Sequence, residues 1–311
     1  MIHGRRVAAS LLAIGVLLGV SGCGCATESP EAPPPKQDVD TPPAQSQTRA
    51  CMPKPSACGF PDGTNTGVST GTPLERKDGV VTLDEEGQVF ENKLVNGSIV
   101  VTAPNVTIRN VKLVVDDPYF GISAKNGGDW DNDQANLLVD HVEIDMNGNI
   151  GLKGIAFNGY TLQRSYIHDG ADCAHFSSNV TIEDSFCVVG PDADGDGWPD
   201  SKAFCDTLEH LDGIQTNGAA NAVIRHNTVR NPCSQTSDVA LFGSVRNITI
   251  DDNLLAGGGY SLYCGSPTAT KVVVSNNRFA RTWHPRSGRW GRMAHCDTGI
   301  ALSGNKWDER E

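Results

Sequence analysis

"ITIDDNLL", Ile248 to Leu255, alternates apolar and polar residues over its first four positions, turns at a second acid and an asparagine, and ends on two leucines. A period of two is the signature of a β-strand with one buried face. The same octet recurs as VTIRNVKL (106–113), LLVDHVEI (137–144), YTLQRSYI (160–167) and VTIEDSFC (180–187). It continues as AVIRHNTV (222–229), VVVSNNRF (272–279) and IALSGNKW (300–307), eight copies in all. Most copies begin about 20 to 31 residues apart, the step of one coil in a parallel β-helix or a similar solenoid. No part of the domain carries a sustained 3.6-residue stripe, and no regular Leu-x-x-Leu-x-Leu occurs, so helical arrays and leucine-rich repeats are excluded. The sixth octet position reads Asn227, Asn253, Asn277 and Asn305 in successive copies. Stacked asparagines can bond to the coils above and below, which makes this column structural.

The octets resemble those of the right-handed parallel β-helix proteins of the pectate-lyase-like superfamily. These are secreted bacterial carbohydrate-active enzymes that include pectate lyases, polygalacturonases and alginate or chondroitin lyases. The resemblance covers about Gly79 to Glu311 and implies an all-β, single-domain right-handed parallel β-helix of about eight to ten coils. It is specific for fold and weak for activity. The polygalacturonase motifs Gly-His-Gly and Arg-Ile-Lys are absent, and so are the usual pectate lyase signatures.

A second strand block precedes most octets: GISAKNG (121–127), GIAFNG (154–159), DCAHFSS (172–178), DGIQTNG (212–218), DVALFGS (238–244) and YSLYCGS (260–266). Alternation turns Ile122, Ile155, Cys173, Ile214 and Val239 inward. Lys125, Asn158, Gln215, Asn217, Phe242 and Tyr263 then face out, a polar surface with two aromatics. It suits sugar rings, which offer both hydroxyls and apolar C–H faces, and equally describes a plain solvated sheet.

Asp172, Asp212 and Asp238 head three of these blocks. Strand spacing of about 4.8 Å would stack their carboxylates and raise the pKa of at least one unless a cation intervenes. The column is then an acid–base set or a metal site, while Asp-Gly is also ordinary turn chemistry. His168, Asp169 and His210 bring further titratable groups to the same edge. A polysaccharide lyase needs a base beside an acidified uronate proton, for which Lys125, Lys153, His168 and His210 are available. A glycosidase needs two carboxyl groups flanking the scissile bond. A non-catalytic glycan-binding scaffold is the third reading.

The long gap between the fourth and fifth octets holds PDADGDGWPD (191–200), with four aspartates in ten residues. Asp192, Asp194 and Asp196, followed by Gly197, match the first half of a calcium loop, with the Trp198 carbonyl and Asp200 completing it. Ala203 stands where an EF-hand places its bidentate Glu and no amphipathic helix flanks the loop, so it is a calcium staple inserted at 190–209 or a solvated acidic turn.

The N-terminus reads as an export signal: two arginines, a short apolar run from Val7 to Val20, then Val20-Ser21-Gly22-Cys23, which resembles the bacterial lipobox. Residues 1–22 form the lipoprotein signal, and Cys23 is the lipidated N-terminus of a protein held on the outer face of the membrane. Residues 23–78 form a Pro-rich tether and N-terminal segment, and 79–311 the β-helix. With Cys23 and Cys25 set aside, eight of the ten cysteines remain. Cys51 and Cys58 pair locally, Cys187 and Cys205 bracket the insert, and zinc is disfavoured because no two stand in Cys-x-x-Cys spacing.

The formal net charge of −12 excludes nucleic acid as a partner and would repel a polyuronate unless calcium or a basic patch intervenes. WHPRSGRWGRMAH (283–295) supplies such a patch, or else a loop that covers the open end of the core. The expectation is a monomeric cell-envelope lipoprotein that binds and cleaves a uronate-containing extracellular polysaccharide by calcium-assisted β-elimination.

Overall fold

The computed structural model describes residues 50–116, 119–124, 136–206 and 210–309. The chain is all-β: among the described residues the helical elements are two 3-10 turns, Pro55–Cys58 and Ala203–Asp206. The compact unit that holds every strand begins at Ser46, ahead of the expected boundary at Gly79.

Every named strand pairing is parallel, and the pairings form three ladders. The first half of each octet builds one: Leu137–Asp140, Tyr160–Gln163, Val180–Glu183, Ala219–Arg225, Val245–Asp251, Thr270–Ser275 and Ile300–Ser303 stack in chain order. The second half builds another, through Phe186–Val189, Thr228–Asn231, Leu254–Gly257, Arg278–Phe279 and Lys306–Trp307. The blocks between octets build the third, through Ile214–Thr216, Val239–Leu241, Tyr260–Tyr263 and Gly291–Ala294. The chain thus visits the ladders in rotation and returns to each one coil further on, an arrangement that fits a β-helix.

The octet is bounded by corners that need left-handed backbone. The residue before each octet has positive φ: Asn105, Asn136, Asn179, Asn221, Asn247 and Lys271, with glycine at 159 and 299. The fifth octet residue does too, from Asn110 and Asp184 to Asp252 and Asn276. Asn and Asp tolerate this region because their short side chains bond locally, which explains why all but the last octet, with Gly304, turn on a polar residue.

Inside the second corner runs a continuous polar column. Asn227 Nδ2 donates to Asn253 Oδ1 at 3.0 Å, Asn253 Nδ2 to Asn277 Oδ1 at 2.9 Å, and Asn277 Nδ2 to Asn305 Oδ1 at 2.9 Å. Serines extend it backwards, with Ser185 N–H donating to Asn227 Oδ1 and Ser165 N–H to Ser185 Oγ. The apolar core fills the rest of the interior, with Ile122, Ile155, Ala174, Ile214 and Val239 in one register on the third ladder. Ala174, not Cys173, therefore occupies the inward position in that column. Cys173 is bridged instead to Cys187 of the second ladder, and Cys205 to Cys233, which corrects the expected Cys187–Cys205 bracket. The Cys51–Cys58 pair is present, and Cys264 pairs with Cys296.

Residues 51–68 form a strap along the outside of the second ladder. At the last coil, Cys51 N–H and Met52 N–H donate to the buried Asp308 carboxylate at 2.8–3.0 Å. Phe60 stacks on His226, 5.2 Å between centroids, and Gly67 N–H reaches Arg164 O several coils back. This segment carries no octet and so reads as tether in the sequence, yet its hydrogen bonds join it to the domain.

Candidate functional site

The acidic insert lies against the second ladder beside the strap. Asp192, Asp194 and Asp196 each bring one carboxylate oxygen within 4.8 Å of the others, while Asp200 stands outside that group. Its Oδ2 accepts the Ala193 N–H instead. Repulsion among the acids is offset from three sides. Backbone donors turn inward, with Gly197 N–H on Asp192, Asp196 N–H on Asp194 and Trp198 N–H on Asp196. The Tyr166 hydroxyl donates to Asp192 Oδ2 at 2.5 Å. Arg230, buried in a coil below, donates to Gly197 O and to Met52 O of the strap, and its guanidinium carbon lies 3.6 Å from the Trp198 ring centroid. Burial lowers Arg230 to about 10, which leaves it a cation at neutral pH. Burial likewise raises Asp192 to about 6, against the pull of the Tyr166 bond. The three grouped carboxylates and the Gly197 turn fit a hard divalent cation, whose charge would complete what Arg230 begins.

A cleft of about 320 Å³ opens beside this loop, lined by Asp192, Asp194, Tyr166, His168, Asp169, Glu143 and Lys112, with Gly63 and Thr66 of the strap as its outer wall. The structure therefore unites two groups that the sequence presents separately, the insert acids and the His168–Asp169 pair. Asp169 acts as a tie: its Oδ1 accepts the Asp192 N–H at 3.1 Å. His168 stacks on Tyr166 with ring centroids 4.3 Å apart and places Nε2 3.4 Å from Glu143 Oε1. Lys112 Nζ sits 2.7 Å from the same oxygen. Burial works to raise Glu143, but the hydrogen bonds from His168 and Lys112 outweigh it and hold the carboxyl at about 2. With an ionised acceptor beside it, Nε2 is the ring nitrogen that donates, and Nδ1 lies on the buried side of the ring. Nδ1 has no hydrogen-bond partner among the described residues.

The aspartate column is arranged differently from the sequence expectation. Lys153 is paired with Asp172 in register, Nζ to Oδ2 2.6 Å, and Asp172 Oδ1 accepts the Asp212 N–H at 3.0 Å. Asp212 in turn accepts the Ser237 N–H at 2.7 Å. Ile214 pairs with Val239, so Asp212 lies opposite Ser237 and Asp238 opposite Gly213, one residue out of line. All three carboxyls are at most 1 % exposed. Burial raises each of them, Asp212 to about 7 with help from the Asp172 charge. Asp172 and Asp212 thus each cap a backbone donor of a neighbouring rung, the Asp238 carboxylate is buried with no hydrogen-bond partner among the described residues, and the three do not form an open stacked face.

On the outer side of the third ladder, Phe242 and Tyr263 lie 4.9 Å apart, and Gln215 shares their sheet face. His210 and Asn217 are exposed, whereas Asn158 is buried. His210 lines a cleft on this side rather than the insert cleft. Lys125 and Cys23 lie outside the described residues. What the sequence reading missed is Lys112, Glu143, Tyr166 and Arg230. The first two lie at second-ladder octet positions that alternation assigns to solvent, a usable signal once the insert is known to fold over that ladder.

No family model matches the chain, and no curated protein matches it. Among solved structures, it is similar to the Dettilon tailspike protein, with 13% sequence identity and a TM-score of 0.27. The match covers 79% of this chain and 59% of that one, so the chain spans less than two thirds of the tailspike's length.

Proposed function

We propose that the chain is a right-handed parallel β-helix of about eight to ten coils that binds a uronate-containing extracellular polysaccharide and cleaves it by calcium-assisted β-elimination in the insert cleft. The observation that carries this reading is that the grouped carboxylates of Asp192 and Asp194 line the same cleft as His168 and Lys112. Calcium would be held by Asp192, Asp194 and Asp196 with the Trp198 carbonyl, and it supplies the positive charge that lets a uronate carboxylate enter an acidic cleft. Glu143 fixes the His168 tautomer and Lys112 balances the Glu143 charge. His168 is the base in this reading: its ring, buried in the unliganded cleft, has to turn toward the substrate to take the proton from the ring carbon next to the uronate carboxylate. The electron pair forms the new carbon–carbon double bond as the adjacent glycosidic C–O bond breaks, and the departing oxygen takes a proton from water. Asp172, Asp212 and Asp238 are at most 1 % exposed and bring no two carboxyl groups to an open face, which disfavours the glycosidase alternative.

The reading includes export and a lipid anchor at Cys23, holding the protein on the outer face of the membrane through the chain before Ser46. Cys23→Ser should release the protein into the medium. Elimination is tested by following the ultraviolet absorbance of the unsaturated uronate product on polygalacturonate, alginate and a glycosaminoglycan. Reducing ends that appear without that absorbance would move the chemistry to hydrolysis.

A further inference from the structure

Away from the insert, the outer side of the third ladder carries a row of rings. Phe242 follows one rung, Tyr263 ends the next and His295 follows the one after, with centroids 4.9 Å and 4.6 Å apart. A second cleft, of about 290 Å³, opens beside this row, with Tyr260, Tyr263, Phe242 and Trp290 as its apolar walls and His210 and Gln235 at its polar rim. Trp290 is 53 % exposed although the backbone beneath it is pinned. Its own N–H donates to Gly259 O at 2.7 Å, the Arg289 N–H donates to Gly258 O at 2.9 Å, and Ser287 Oγ is hydrogen-bonded to Ser261 Oγ. Gly259 is required at this contact, since a Cβ there would meet Ser234 O at 2.8 Å. The pinned loop thus holds a large apolar ring more than half exposed next to three others. Exposed aromatic clusters of this kind mark binding surfaces.

We propose that this cleft is a second, calcium-independent glycan site that takes a neutral pyranose ring of a polysaccharide, stacked by its C–H face on Tyr263 and Trp290, with its hydroxyls meeting His210 and Gln235. The site rests on the polysaccharide reading above for its class of ligand, and on nothing in the insert. A neutral ring fits better than a uronate because Arg289, 4.7 Å from the Trp290 centroid, already has that ring as its partner. Rigid aromatic anchors supply affinity at low entropic cost.

The test is mobility in native gels cast with xylan, galactan or dextran, with a chelator present throughout. At least one of the three should retard the protein. Trp290→Ala and Tyr263→Ala should each weaken that retardation by about tenfold or more, and Asp194→Ala should leave it unchanged. Trp290 is exposed, so its variant keeps the wild-type melt and remains decisive if the Tyr263 variant does not fold. No retardation by any of the three, or retardation equal in the Trp290 variant, overturns the proposal. Failure here beside calcium-dependent uronate binding would retire this site alone; retention of neutral-glycan binding without uronate binding would retire the insert reading alone.

Discussion

Asp308, in the last coil, accepts the backbone N–H of Cys51, a residue 257 positions earlier. With Met52 it makes three hydrogen bonds on one buried carboxylate. The bond fastens the strap at the far end of the domain, and the strap walls the insert cleft through Gly63 and Thr66. Removing the carboxylate orphans two donors, each worth about 1–3 kcal/mol when buried. Asp308→Ala should therefore lower unfolding free energy by a few kcal/mol in a urea titration, with Asp308→Asn losing less because one acceptor remains. Equal stability of both variants and the wild type would show that the strap is not held there.

The interior asparagine column makes a graded prediction. Asn253 both donates to Asn277 and accepts from Asn227. Asn253→Ala should cost about 1–3 kcal/mol for the partners left unsatisfied. Asn253→Ser should cost less, because Ser165 and Ser185 already hold the equivalent place in earlier coils and accept the same kind of backbone N–H. Urea midpoints ranked Ala below Ser below wild type are the expected result; an unchanged Ala variant would leave the column without energetic weight.

The buried carboxyls predict an unusual pH profile. Asp212 is raised to about 7 by burial and then by the Asp172 charge, against about 3.9 in an unfolded chain. Ionisation is harder in the fold, so its contribution to stability is fully present below about pH 4 and is lost as pH rises through about 7. Glu143 runs the other way: held at about 2 in the fold, its contribution is present above about pH 4.5 and lost as pH falls toward 2. In chelator, the melting temperature should peak in weak acid and decline toward pH 8, and Asp212→Asn should flatten that decline. A wild-type melt that rises steadily to pH 8 would contradict the burial of Asp212.

The strand content and the parallel stacking of the octets were legible because the octet alternates and repeats, and the asparagine column because one residue type recurs at one octet position. The aspartate edge was not legible in detail. Matching blocks by their leading Asp aligns Asp238 with Asp212, whereas the backbone pairs Ile214 with Val239 and puts Asp238 opposite Gly213. The disulfides follow spatial proximity across ladders, which sequence separation hides. The counter-charge of the insert, Arg230, sits in an octet's second strand where alternation alone does not reveal that a distant loop will fold onto it. The strap escaped for the opposite reason: it has no periodicity, and its order comes from contacts with Asp308, His226 and Arg164.

The central claim is that the insert cleft takes an acidic polysaccharide through calcium held by Asp192, Asp194 and Asp196. The most direct measurement is calorimetric titration of uronate oligomers from pectin and from alginate into the purified protein, first with calcium and then with chelator, for the wild type and Asp194→Ala. The account predicts saturable binding of at least one oligomer with calcium, none with chelator, and affinity reduced by about tenfold or more in the variant. Binding of equal strength in chelator, or undiminished in Asp194→Ala, would contradict it.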